Sequence, residues 1–420
     1  MKRSRSCAAA AIATAAAIAL SSCSFKRAIV FNSRRDINVP PSISFSWWGS
    51  ETRNAYTLQG LGIFEDDNKN KLTIQPFPYD FEGYKSNLDA LVSCGKECDL
   101  MQINSSWLNS LAVEQDALYD LNELKDHIDL DNFTEEQLNY CTINGKLYGL
   151  PTSLNAITFY HNSFVYAKYA LNPPETWDDL FAAADLMSPD GVYVLESYPK
   201  HYWIMLVAHE EQITGRSAFG DGFDTDNVIS MMNFYKELID RKVIPTENFS
   251  KELFFEGRCA SEALWVSDAD FYAEPVEDHH GLLQVGRCLS CTDQKRLGWY
   301  VKPNQVYSIK KNTKHPEETA DLLNFLVNDA RMAELQGTEK GIPLSKSALE
   351  VLEANKMLTG AAYEAGKLIN DDLDKYELMP AELEETGRYE AFFEQFLLFE
   401  NGEKTVEEAA GDFVKEYPFK

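Results

Sequence analysis

Apolar and polar positions follow two different periods along the first part of the folded chain. "SISFSWWG", Ser42 to Gly49, has the pattern of a short strand running into a loop. "ETRNAYTLQGLGIFEDDN" brings Tyr56, Leu58, Leu61, Ile63 and Phe64 close to one face, which predicts a helix ended by Asp66, Asp67 and Asn68. A second strand, "KLTIQPFPYD", is followed by a second helix, "FEGYKSNLDALVSCG", with Tyr84, Leu88, Leu91 and Val92 as its apolar stripe. "CDLMQIN" is a third strand. This alternation predicts right-handed crossovers, a parallel sheet and the α/β class. Ligands of such sheets bind beyond the carboxyl ends of the strands, which here carry "WWGSETR", "YD" and "NSSW". Successive strand residues face opposite sides. Trp48 is therefore expected at the mouth of a cleft, with Trp47 either core or cleft.

The pattern changes at "INGKLYGLPTSLNAITFYHN", Ile143 to Asn162, where a Gly-rich turn and a Pro lead into a new apolar strand. "PPETWDDLFAAADLM" predicts a helix, with Thr176 as N-cap and Asp178 and Asp179 in its first turn. "YPKHYWIMLVAHEE" and "DNVISMMNFYKELIDRKVI" read as helices, and "FFEGRCASEALWVSD" as a turn and a buried strand. "GWYVKPNQVYSIKKNTKHPEETADLLNFLVND" reads as strand, turn and helix, and the chain from Lys346 is largely helical.

The N-terminus reads as a processing signal. Lys2, Arg3 and Arg5 precede an apolar run from Cys7 to Leu20, shorter than the roughly 20 residues of a spanning helix. "LSSC", Leu20 to Cys23, resembles a bacterial lipobox, which implies cleavage before Cys23, acylation of that cysteine and a tether over 23–40. What remains is too long for one core and predicts two lobes. A formal charge of -27 argues against nucleic acid. "CGKEC" and "CLSC" place Cys94 near Cys98 and Cys288 near Cys291; disulfides, a shared metal or free thiols all fit. No HExxH, GxSxG, P-loop or GxGxxG occurs, so no catalytic group, metal or cofactor is expected.

The ordered set of motifs resembles the extracellular solute-binding proteins of sugar-type ABC importers, the family that includes maltose-binding protein. The lipobox before a strand ending "SWWG", "INGKLYGLPTS" before "ITFYHNSF", "PETWDDL", "FFEGRCASEALW", "NTKHPEETADLLNFLVND" before "KGIPLSKSA", and "NGEKTVEEAAGDF" carry the resemblance. Cys98 departs from it, standing where the family usually has Pro. The resemblance implies a two-lobed periplasmic-binding-protein-like fold of type II, with mainly parallel sheets, flanking helices and a hinge. Residues 41–148 plus 270–340 would form lobe one, and 149–269 plus 341–420 lobe two. It also implies a lipid-anchored monomer on the outer face of a bacterial membrane, which closes on a carbohydrate and docks on the transmembrane permease subunits.

Sugars present an apolar C–H face and a rim of hydroxyls, which aromatic rings and directional polar groups respectively suit. Candidate ligand contacts in lobe one are Trp48, Glu51, Arg53, Asp99, Asn104, Ser106 and Trp107. Those in lobe two are Tyr160, Asn162, Trp203 and Trp265, and Trp299 and Tyr300 lie on the return strand. Trp177, in a helix start, is expected in packing. The alternatives are the same fold binding a polyamine, peptide or phosphate compound, an extracellular glycan-acting enzyme, and an adhesion lipoprotein.

Overall fold

The computed structural model describes residues 40–69, 71–246 and 249–419. The expected signal segment 1–22, and Cys23 with nearly all of its tether, lie outside the described residues. The first five elements follow the periodicity: β1 (Ser42–Trp48), α1 (Glu51–Asp67), β2 (Thr73–Tyr79), α2 (Tyr84–Ser93) and β3 (Leu100–Ile103). β1 lies between β2 and β3, parallel to both. The sheet is completed by two antiparallel strands from later in the chain, β10 (Val306–Ile309) beside β3 and β4 (Leu150–Pro151) beside β10.

The second sheet is built around β5 (Leu154–Asn162), buried along its whole length. β7 (Cys259–Trp265) runs antiparallel along one side of it, and β6 (Tyr193–Glu196) runs parallel to β7. β8 (Leu283–Gly286) and β9 (Tyr300–Pro303) pair antiparallel with its two halves, and β11 (Glu377–Leu378) adds parallel to β9. Ile157 and Phe159 enter the core under the helices 177–187 and 199–214, whereas Ala156 and Tyr160 enter the other core. This is the period-2 alternation of a strand covered on both faces. The helix flanking is as expected; the pairing in this sheet is mixed because β5 enters it from the other lobe and β9 leaves it again.

That return corrects the expected lobe boundary. Residues 283–286 and 300–303 pair in the second sheet, and the chain rejoins the first only at Val306. The crossings are thus short: Thr152 and Ser153 between β4 and β5, and Asn304 and Gln305 between β9 and β10. A third strand of chain braces them, with Ser153 bridged to Pro343 and Gly341 at φ +87° in the "KGIP" turn. Lys346–Ala354 packs on lobe-one helices, whereas Ala361–Asp371 packs on β8 and β5. The helix Trp177–Met187 starts at the expected N-cap, Thr176, which forms a capping box with Asp179, and Trp177 is buried as expected. No described helix is long and apolar enough to cross a membrane.

Candidate functional site

The two tryptophans of "SWWG" part as the strand pleat requires. Trp47 is fully buried, stacks on Phe45 at 4.9 Å between ring centres, and donates from Nε1 to Asn54 Oδ1 at 2.9 Å. Trp48 points the other way and lines a cavity of about 420 Å³ between the lobes. Three rings hold it there: Tyr84 at 5.4 Å, Phe81 at 5.5 Å and Trp107 at 5.7 Å. Phe81 is itself 56% exposed at the lip.

The loop after Trp48 is fixed by the start of α1. Ser50 caps the helix by accepting from Arg53 N at 3.3 Å. A Cβ on Gly49 would lie 2.6 Å from that of Arg53, so only glycine lets the side chain fold back across the turn. Arg53 Nη2 then donates to the Glu339 carbonyl at 2.8 Å. Asn104 closes this wall, its Oδ1 engaged by Ser106 N at 3.0 Å and Ser106 Oγ at 2.9 Å.

The floor is polar. Gln102 Nε2 donates to the Trp48 carbonyl at 3.2 Å, and Lys340 Nζ donates to Gln102 Oε1 at 2.9 Å and to the Tyr307 hydroxyl. Lys340 is fully buried; burial first, and Arg53 second, push its ammonium down to about 7. Its carbonyl accepts from Ser153 Oγ and, at 3.0 Å, from Asn304 Nδ2, so Lys340 touches both crossings.

The facing wall centres on Trp265, the last residue of β7. Lys302 Nζ lies 4.4 Å and Lys200 Nζ 5.4 Å from its ring centre, and the His201 ring meets it edge-on at 5.4 Å. Glu384 takes both ammoniums, Lys302 at 2.6 Å and Lys200 at 3.4 Å. Burial opposes ionisation of Glu384, but the two lysines outweigh it and hold its carboxyl below the ordinary range. Burial pushes His201 down to about 3, so it is neutral and donates from Nδ1 to the Ala263 carbonyl at 2.9 Å. Beyond Trp265 lies a hollow of about 720 Å³ walled by Tyr198, Tyr389 and Phe393, sharing Lys200, Trp265 and Asp268 with the cleft.

Of the candidates, Trp48, Arg53, Asn104 and Trp265 meet in this cavity. Trp107 stands one layer behind, with Lys85 Nζ 5.7 Å from its ring centre. Ser106 serves the Asn104 turn, and Glu51 is exposed in the first turn of α1. The others are corrections. Asp99 sits at the opposite end of β3, fastened by Ser44 N, Ser44 Oγ and Thr313 Oγ1. Tyr160 is fully buried within the second sheet, and Asn162 caps the helix Ser163–Lys168. Trp203 is core against Phe392 and Phe413, because its helix is buried almost all round from His201 to Gln212. Trp299 stacks on Trp177 and donates to the Leu289 carbonyl, and the Tyr300 hydroxyl donates to Glu211.

Sequence reasoning missed Lys200, Asp268, Lys302 and Glu384. Lys302 alone had a signal, a lysine inside an otherwise apolar strand, "WYVKP". The six described cysteines are all unpaired.

A family model for bacterial extracellular solute-binding proteins matches residues 63–364. A periplasmic solute-binding protein from Pectobacterium atrosepticum superposes with a TM-score of 0.81 at 25% identity, over 90% of this chain and 97% of that one. A periplasmic oligogalacturonide-binding protein from Yersinia enterocolitica, in complex with saturated digalacturonic acid, gives a TM-score of 0.77 at 28% identity, over 89% and 97%. An arabinooligosaccharide-binding protein of Halalkalibacterium halodurans is 26% identical over 43% of this chain and 44% of its own length.

Proposed function

Because the chain belongs to the bacterial extracellular solute-binding proteins, we propose that it is the binding component of an ABC importer and captures a sugar or oligosaccharide between its lobes. The observation that carries this reading is the pair of indoles, Trp48 and Trp265, on opposite walls of one interlobe cavity rimmed by polar side chains. Two ring faces with hydrogen-bonding groups between them suit pyranose or furanose units. The named ligands of the Yersinia and Halalkalibacterium proteins support it, and the relatives so named are binding proteins rather than enzymes.

Ligand is held by both walls only when the lobes are closed, so it shifts the hinge toward closure by its extra affinity for that state. The closed form then presents a defined surface to a permease. The lipobox-like Leu20–Cys23 supports attachment to the outer face of the membrane through an acylated Cys23.

Calorimetry with a panel of neutral and acidic oligosaccharides, polyamines and peptides tests the reading. Trp48→Ala and Trp265→Ala are each expected to weaken the bound glycan about tenfold, roughly 1.4 kcal/mol. The rings are only 7% and 8% exposed, so much of that loss comes from opening the wall to water rather than from lost contact area. Unchanged affinity in both variants, or heat with amines alone, refutes it.

A further inference from the structure

Glu339, Lys340 and Gly341 stand where the ligand wall meets the hinge. Arg53 and Asn304 both line the interlobe cavity. Arg53 Nη2 donates to the Glu339 carbonyl at 2.8 Å, and Asn304 Nδ2 to the Lys340 carbonyl at 3.0 Å. Ser153 Oγ donates to that same Lys340 carbonyl. One carbonyl thus ties the crossing at 152–153 to the crossing at 304–305. Gly341 follows at φ +87°, and a Cβ there would lie 2.7 Å from Ser153 Oγ, so the turn is fitted closely against the first crossing.

The side chain of Lys340 reaches into lobe one. Its Nζ donates to Gln102 Oε1 at 2.9 Å, and Gln102 Nε2 donates to the Trp48 carbonyl at 3.2 Å. Nζ also donates to the hydroxyl of Tyr307, on the strand that the second crossing enters. Gln102, Lys340 and Tyr307 are all buried, so water does not replace these bonds when one is lost. Lys340 itself lies behind the cavity wall. As packing, a lysine is costly there, since methionine would fill similar space with no charge to desolvate. What the lysine adds is a continuous run of hydrogen bonds from the end of β1, through Gln102, to both crossings.

We propose that Lys340 is a positioning residue for ligand capture, fixing the Trp48 wall against the two crossings so that contact with ligand in the cleft is passed to the hinge. The proposal rests on the reading of the cleft as a saccharide site that closes by hinge motion. Ligand reaches the turn from two sides, through Arg53 and Asn304 on its carbonyls and through Trp48 and Gln102 on the lysine side chain. Without that side chain the end of β1 and the crossings shift independently. Ligand then gains less from the closed state over the open one, and closure is weaker.

The test is calorimetry and small-angle X-ray scattering at pH 6.5 on wild type, Lys340→Met and Gln102→Met, with arabinotriose, maltotriose and trigalacturonate as probes. Each variant is expected to bind the preferred trisaccharide about tenfold more weakly, the size of one hydrogen bond to a charged group. Each is also expected to contract less than wild type when saturated with that probe. Lys340→Met loses its buried charge and is expected to gain stability at this pH, so its weaker binding would not come from a weakened fold. In a Trp48→Ala background Lys340→Met is expected to cost about twofold or less, because both changes break one chain of contacts. Gln102→Met keeps the test valid if Lys340→Met fails to fold. Unchanged affinity and contraction in both variants, or an undiminished loss in the Trp48→Ala background, would overturn this inference and leave the saccharide reading standing. No heat with any of the three trisaccharides would overturn both.

Discussion

Lys340→Met separates a buried charge from its surroundings. The Lys340 ammonium is fully buried, its partners Gln102 and Tyr307 are neutral, and burial pushes it from 10.5 down to about 7. The unfolded chain keeps its proton to about 10.4. Below pH 7 both states are protonated, and the native state carries the full penalty, roughly 4–5 kcal/mol at 1.36 kcal/mol per pKa unit. Between about pH 7 and pH 10 the unfolded state holds more protons, so this group's contribution to stability improves as pH rises. Roughly 2–3 kcal/mol of the penalty is relieved between pH 6.5 and pH 9. Methionine removes the penalty but leaves Gln102 Oε1 without its donor, which costs about 1–3 kcal/mol.

The variant is therefore expected to be about 2 kcal/mol more stable than wild type near pH 6.5, with the advantage gone or reversed near pH 9. Urea unfolding followed by tryptophan fluorescence across that range measures it. Glu262 works the opposite way: burial first, with Glu196 adding, raises its carboxyl to about 9. Its stabilising contribution therefore falls as pH climbs through the same range, and the difference between variant and wild type cancels it. A difference that does not change with pH would refute the reasoning.

Glu262→Gln is expected to flatten the loss of stability toward pH 9, read as a smaller fall in urea midpoint than wild type shows. Asp99→Asn weakens the bonds from Ser44 and Thr313 far from the cleft, so it should cost about 1–3 kcal/mol of stability and leave glycan affinity unchanged in calorimetry. Cys23→Ser is expected to release the protein from membranes into the soluble fraction and abolish labelling by radioactive palmitate.

The strand and helix order from Ser42 to Ile103 was readable because each element shows a single period; the pleat set Trp48 toward the cleft but left Trp47 open between core and cleft. The corrected aromatics had no such signal. Trp203 lies on a helix buried almost all round, and Trp299 and Tyr300 border a strand buried on both faces, so an aromatic at an element's end says nothing of which side it takes. The cluster on the facing wall was hidden for another reason. Lys200, Trp265, Lys302 and Glu384 come from a helix start, two strands and a short turn far apart in the chain. Only the crossings at 152–153 and 304–305 bring them opposite Arg53. The boundary expected at 270 failed because β8 and β9 look, in sequence, like strands of either sheet.

A crystal structure grown with a tightly bound oligosaccharide would test the central claim most directly. The account predicts sugar rings between Trp48 and Trp265, touching residues of both lobes across the hinge. A glycan bound on the outer surface of one lobe, with the space between the indoles unoccupied, would contradict it.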